Sequence, residues 1–190
     1  MNVREFLNHY SHGQRKYVGI RLHAADLKGA SLSPIDLSRA DLSHADLSYA
    51  DLRDARLEHA NLTNADLSWA NLAGANLVDI NLIGAELSEA NLAGVDLSRG
   101  DLRCAQLQGA NLEGVNFKNA DLEGVSLQRA NLRNTKFEGA DLAGADLTGA
   151  DIAGSDLKPG EIPENPHVAS HCWVTWAGDR GEVSGSSATV

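Results

Sequence analysis

Aromatic side chains make up only 5% of the 190 residues, so any core must be aliphatic. Proline occurs four times and cysteine twice. Cys104 and Cys172 show no framework spacing, which excludes a disulfide scaffold and points to free thiols in a cytoplasmic chain. No apolar run approaches the roughly 18 to 20 residues needed to span a bilayer. The start, Met1-Asn2-Val3-Arg4-Glu5, lacks the basic and apolar segments of a secretory signal. Positive charge is scarce as well: 16 Lys and Arg against 26 Asp and Glu leave a formal net charge of −10. Phosphate contacts need clustered bases, so direct nucleic-acid binding is not expected. Anionic membrane surfaces would repel the chain.

Motifs of chemistry are missing too. There is no glycine-rich phosphate loop, serine-nucleophile elbow or zincin motif. General acid–base pairs need a cleft and altered environments. Most carboxylates here recur instead at one outward position of a repeat. His167, His171 and Cys172 form the one tight set of metal-ligand types, but structural zinc sites usually show four ligands with paired spacing. Tail packing is the expectation there, with no metal, no cofactor and no catalytic site.

What is present in excess is a period of five. From Ile20 to Lys158 the centre of each unit falls at 22, 27, 32 and onward to 157, giving 28 centres of which 25 are Leu and the others Phe117, Phe137 and Ile152. Two residues earlier stands a small residue, Ala in 19 cases, and between the two is usually Asp or Asn. Five residues advance an α-helix by about 500°, which would scatter the Leu around the axis. A short extended segment with a corner puts Ala and Leu, two apart, inside and Asp or Asn outside.

A period of twenty lies above the five. Five of the nine exceptions to Ala fall in the column containing Ile35, whereas the column containing Ala30 has none, and Phe117 and Phe137 are twenty apart. Four units therefore make one coil.

The run of Ala-(Asp/Asn)-Leu-x-x units resembles the pentapeptide-repeat proteins. The resemblance implies an all-β solenoid: a right-handed quadrilateral β-helix of about seven four-sided coils with a short N-terminal α-helical cap. At about 4.8 Å per coil it would be roughly 34 Å long. The expected division is 1–19 as cap, 20–158 as β-helix and 159–190 as a C-terminal tail, partly capping and partly disordered. In the cap, Asn2 can cap a helix running to about residue 12, with Glu5 three residues on and Gly13 as a stop. Met1-Asn2-Val3, Glu5, His9-Tyr10, Gly13 and Arg15 resemble the opening of cyanobacterial pentapeptide proteins, including one that regulates heterocyst differentiation. That implies a cyanobacterial source.

Corners follow from composition. Gly74, Gly94, Gly114 and Gly154 suit the positive φ of a type II turn. His44, Tyr49, Trp69, Glu89, Arg99 and Arg129, like Pro34, are expected in type I turns. Cys104 is expected at a corner as a bystander thiol.

Charge divides the four faces. The face centred on 27, 47 and 67 has six acids (Asp26, Asp46, Asp66, Glu86, Glu89, Asp146) against two bases, Lys28 and Arg129. The face centred on 37 balances six with six. Tyr49 and Trp69, twenty apart, should stack on one edge of the acidic face. Exposed aromatics beside charge are common in protein-binding patches, so Tyr49, Trp69, Asp26, Asp46, Asp66, Glu86 and Glu89 are the candidate partner-binding residues. The alternative is that the acids only keep the rod soluble. The functional expectation is a non-enzymatic protein-interaction module with an unidentified protein partner, monomeric in preference to dimeric. The competing expectation is a DNA mimic for a type II topoisomerase, which the resemblance to fluoroquinolone-resistance members implies.

Overall fold

Each residue at the outward position pairs with the residue twenty further on, in parallel, from Lys16↔Asp36 through to Asn131↔Asp151. This computed structural model describes residues 1–161. Twenty residues per coil and four corners per coil make a four-sided solenoid, wound around a filled core. Leu, Phe and small residues occupy that core, and most Leu centres from Leu32 to Leu132 are fully buried. Burying a Leu side chain contributes about 1.5 to 3 kcal/mol, so the ladder alone can hold the coils together. Phe117 and Phe137 stack inside it with centroids 5.5 Å apart.

The unit around Leu67 shows why five residues suffice, because every N–H finds an acceptor. Asp66 N–H donates to Ala45 O on the preceding coil (2.9 Å) and Leu67 N–H to Glu86 O on the following one (2.7 Å). Ser68 N–H donates to Asp66 Oδ1 (2.9 Å). Trp69 N–H reaches Ser88 O (3.0 Å), and Ala70 N–H closes the corner on Leu67 O (3.0 Å). The outward Asp or Asn is thus more than a solvated side chain: it accepts the one corner N–H that the coils leave over, an Asx turn. The same bond recurs at Asp46, Asn61, Asn91, Asp96, Asn131 and Asp151.

Two expectations about the corners fail. His44, Tyr49, Trp69, Glu89, Arg99 and Arg129 all have φ between 57° and 62°. These corners carry the positive φ of a type II turn, not type I. A left-handed residue other than Gly costs about 1 to 2 kcal/mol, and the bond from its N–H to the next coil offsets that. Tyr49 N–H, for example, donates to Ser68 O at 2.9 Å. Pro34 is not in a type I corner either; the Ser33–Pro34 peptide is cis.

The helix α1 spans Val3–Ser11, with Asn2 and Glu5 forming a capping box. It lays Phe6 and Tyr10 over the first coil, Phe6 edge-on to Tyr17 at 4.7 Å. Tyr17 is itself a centre, in phase with the Leu ladder and buried, and Lys16 makes the first bridge. The coils therefore begin one unit earlier than residue 20. A 3-10 turn, Pro159–Glu161, follows the last coil.

Candidate docking surface

The face centred on 27 presents one column of outward residues, Asp26, Asp46, Asp66 and Glu86 on four successive coils. Each is held by the residue two further on. Ser48 donates both N–H and hydroxyl to Asp46 Oδ1 (2.9 and 2.6 Å), and Ser68 does the same to Asp66 Oδ1 (2.9 and 2.6 Å). Ser88 donates through both groups to Glu86 Oε1. Lys28 N–H donates to Asp26 Oδ1 at 3.3 Å.

Rotamer and function separate at this point. One carboxylate oxygen of each is used by the corner. The other oxygen, Oδ2 of Asp26, Asp46 and Asp66 and Oε2 of Glu86, has no hydrogen-bond partner among the described residues. The Ser48 hydroxyl holds the Asp46 carboxyl below the usual carboxylate range, and Thr148 does so for Asp146.

Tyr49 and Trp69 stand on the corner beside this column. Their rings are parallel within 3° and 6.3 Å apart. Both are more than half exposed, at 58% and 55%. The left-handed backbone aims them outward, and the twenty-residue repeat stacks them. Lys28 Nζ lies 5.7 Å from the Tyr49 ring centre, within cation–π range. Next along the edge is Glu89, whose carboxylate lies over Gly109; a Cβ there would come 2.5 Å from Glu89 Oε1. Glu89 is a surface carboxylate and takes no part in a corner bond.

The other three faces handle charge differently. Arg53 pairs with Asp51 (2.7 Å), Arg103 with Asp101 (2.7 Å) and Arg133 with Asp151 (3.0 Å). On the face centred on 37, Arg99 grips Asp79 with two bonds, of 2.8 and 2.7 Å, and Lys118 reaches Glu138 at 2.9 Å. None of the salt bridges among the described residues involves Asp26, Asp46, Asp66, Glu86 or Glu89. The composition of the face predicted an acidic excess; the structure adds that none of it is taken up in salt bridges, with Lys28 the one base that eases the charge of Asp46. The acids were legible as Asp-Leu-Ser at 46–48 and 66–68 and Glu-Leu-Ser at 86–88, but the same Asp-Leu-Ser recurs at 36–38 and 96–98 on the face centred on 37, so the absence of salt bridges was not legible from that motif.

Elsewhere the structure offers less. Among the described residues no group of three His, Cys, Asp or Glu side chains could hold a metal ion, and no helix is long and apolar enough to cross a membrane. His167, His171 and Cys172 lie outside the described residues. Cys104 stands at a corner but is disulfide-bonded, so the expectation of a free thiol fails there. A concavity of about 900 Å³ at the last coil, bordered by Phe137, Leu142, Asp156 and Leu157, marks the end of the ladder where the chain runs on.

A solenoid of five-residue units with Leu inside and an Asx-closed corner defines a class, and the sequence comparisons agree with it. The family model for pentapeptide repeats matches residues 20–58, 60–99, 101–139 and 126–158, and the chain belongs to that family. Its fold is accordingly the right-handed quadrilateral β-helix. HetL, a pentapeptide repeat protein involved in heterocyst differentiation regulation from the cyanobacterium Nostoc sp. strain PCC 7120, is 32% identical over 83% of this chain and 95% of its own, with a TM-score of 0.24. A second Nostoc pentapeptide repeat protein, alr5209, is 30% identical over 61% of this chain and 81% of its own, with a TM-score of 0.39. QnrB1, a plasmid-mediated fluoroquinolone resistance protein, is 17% identical over 80% of this chain and 88% of its own, with a TM-score of 0.50. No curated protein sequence matches.

Proposed function

We infer that the chain is a non-enzymatic docking module that presents the Tyr49–Trp69 edge and its acidic column to another protein. One observation carries this reading. The fold gives every face the same ladder and each of the other three carries salt bridges, yet on this face none of the described carboxylates joins one, and there they flank two stacked, exposed aromatics. Stacked like charges destabilise a sheet face. A solubilising role asks only for net charge, which any face could supply. The reading fits the protein-interaction role of pentapeptide-repeat proteins.

A photo-reactive amino acid in place of Tyr49, compared with one in place of Glu113 on the Gly-cornered face, tests it in lysate of the source cells. Crosslinks to a protein should concentrate at position 49. Equal capture at both positions removes the reading.

The second reading, a DNA mimic for a type II topoisomerase, has the rod and the net charge of −10 in its favour. The lateral salt bridges on three faces count against it, since they break up the negative surface that such a mimic presents. Neither inhibition nor protection of gyrase supercoiling at micromolar protein would eliminate it.

A further inference from the structure

We propose that the acidic edge receives a basic α-helix, laid along the rod axis with its Arg side chains in register with the coils. The inference rests on the docking reading above and names the occupant.

The chemistry of the edge selects a cation. Four carboxylates on successive coils are fixed by corner bonds and keep one oxygen each without a partner. The aromatic step beside them already shows what it accepts, because Lys28 Nζ approaches Tyr49 at 5.7 Å. Trp, the strongest cation–π acceptor, stands next at Trp69, and no cation lies over it among the described residues. Between the two basic side chains, guanidinium fits better. It is planar, stacks on aromatic faces and forms forked bonds to carboxylates, whereas an ammonium is a compact, strongly hydrated point charge. A second copy of the chain, with its charge of −10, would be repelled, as would nucleic acid.

The spacing of the edge selects a helix. Successive coils are separated by about 4.8 Å, so four carboxylates recur at roughly 0, 5, 10 and 14 Å. One face of an α-helix offers positions i, i+3, i+7 and i+10 at about 0, 4.5, 10.5 and 15 Å. Every carboxylate then has an Arg within about 1 Å along the axis. An extended strand offers one side chain per about 6.7 Å on a face, giving three for four carboxylates, with the second falling about 2 to 3 Å from either neighbouring carboxylate.

The experiment uses the full chain and a fluorescent synthetic helix of about 16 residues with Arg at i, i+3, i+7 and i+10. A composition-matched peptide spreads the same Arg around the helix. The registered peptide should bind at least about tenfold more tightly than the scrambled one, with affinity falling as salt rises from about 50 to about 500 mM. Tyr49→Ala/Trp69→Ala should abolish that preference. Glu86→Gln, which keeps the corner acceptor and removes the charge, should weaken registered binding several-fold. Circular dichroism and thermal melting confirm that each variant is folded. Equal binding of the two peptides, unchanged binding by Tyr49→Ala/Trp69→Ala, or no binding overturns the proposal. If the peptides fail while photo-crosslinks still concentrate at position 49, the docking reading stands and the helical occupant falls. Dispersed crosslinks remove both.

Discussion

Two faces of the same coils, those centred on 27 and on 37, have identical backbones and opposite treatments of charge. On the second, Arg99 holds Asp79, Arg56 lies against Glu58 and Lys118 reaches Glu138. On the first, acids repeat at Asp26, Asp46, Asp66 and Glu86 with hydroxyls and N–H groups as their only partners. The backbone does not require either arrangement. Its demands end with the buried Leu, the small residue and, at most outward positions, an oxygen for the corner N–H. What lies beyond those demands is free to serve something else, and the two faces show how differently that freedom is used.

The largest effects should fall where the faces are the same. Leu87 and Leu97 sit in one coil behind the acidic and the neutral face, and both are fully buried. Truncation of either to Ala should cost about 2 to 5 kcal/mol, the usual range for a buried Leu. Urea denaturation of both variants checks this. A difference much above 1 kcal/mol between them would mean that the surface layers reach into the core and that the two are not independent.

Corner acceptors come next. Asp66→Ala on the acidic face and Asp96→Ala on the neutral one each leave a corner N–H without its acceptor, at about 1 to 3 kcal/mol when such a group is shielded from water. The partial exposure of both sites puts the expectation at the low end, and equal for the two faces. The converse variant is Ser126→Asn. Ser126 Oγ is buried without a partner, and Asn would supply the missing Oδ1 to Gln128 N–H. A gain of about 0.5 to 1.5 kcal/mol is expected in the same denaturation measurement.

These corner bonds also mark where sequence reading stopped. The period of five and the period of twenty were legible because burial and coil stacking leave a direct mark on residue type. The Tyr49–Trp69 stack was legible for the same reason, as was the capping box at Asn2 and Glu5. Positive φ at Tyr49 or Trp69 was not, because it is dictated by carbonyls of the next coil and not by the residue itself. The outward Asp and Asn read as solvated side chains, since an N–H acceptor and a side chain in water leave the same composition. Tyr17 was missed as a centre because it is in phase but is not Leu. Of the candidate site, the acids and aromatics could be read; the unpaired oxygens could not, because they depend on the turn directing both the corner N–H and the hydroxyl to one oxygen of each carboxylate.

Acid should act through the corner carboxylates of the acidic face and of the face centred on 22. Hydroxyl donors from Ser43, Ser48 and Thr148 hold Asp41, Asp46 and Asp146 below the usual carboxylate range. A carboxyl depressed in the folded state contributes stability above its unfolded pKa, roughly 3.9, and that contribution is lost as pH falls through the lower, folded value. The melting temperature should therefore fall as pH drops below about 4. Because the donors are neutral, high salt should leave this fall largely in place on the acidic face. Thermal melts from neutral to acidic pH, with and without salt, measure it. A melting temperature that rises on acidification would show that relief of repulsion outweighs the corner bonds.

The smallest expected effect is also the one that separates the faces most directly. Arg99→Ala removes a forked but exposed pair and should cost about 0.2 to 1 kcal/mol, the range for surface ion pairs. Glu86→Gln on the acidic face keeps the acceptor for Ser88 and removes one charge from a column of like charges. It should be neutral or stabilising by a few tenths of a kcal/mol at low salt, with the gain vanishing at about 1 M, where the Debye length is about 3 Å. Denaturation of the two variants at low and high salt decides the matter. If Glu86→Gln is stabilising, the acid is kept on the rod against its own stability. Residues of that kind are expected where binding, and not folding, sets the choice. If it destabilises as much as Arg99→Ala, the column has a structural role of its own, and the contrast between the faces loses its functional meaning.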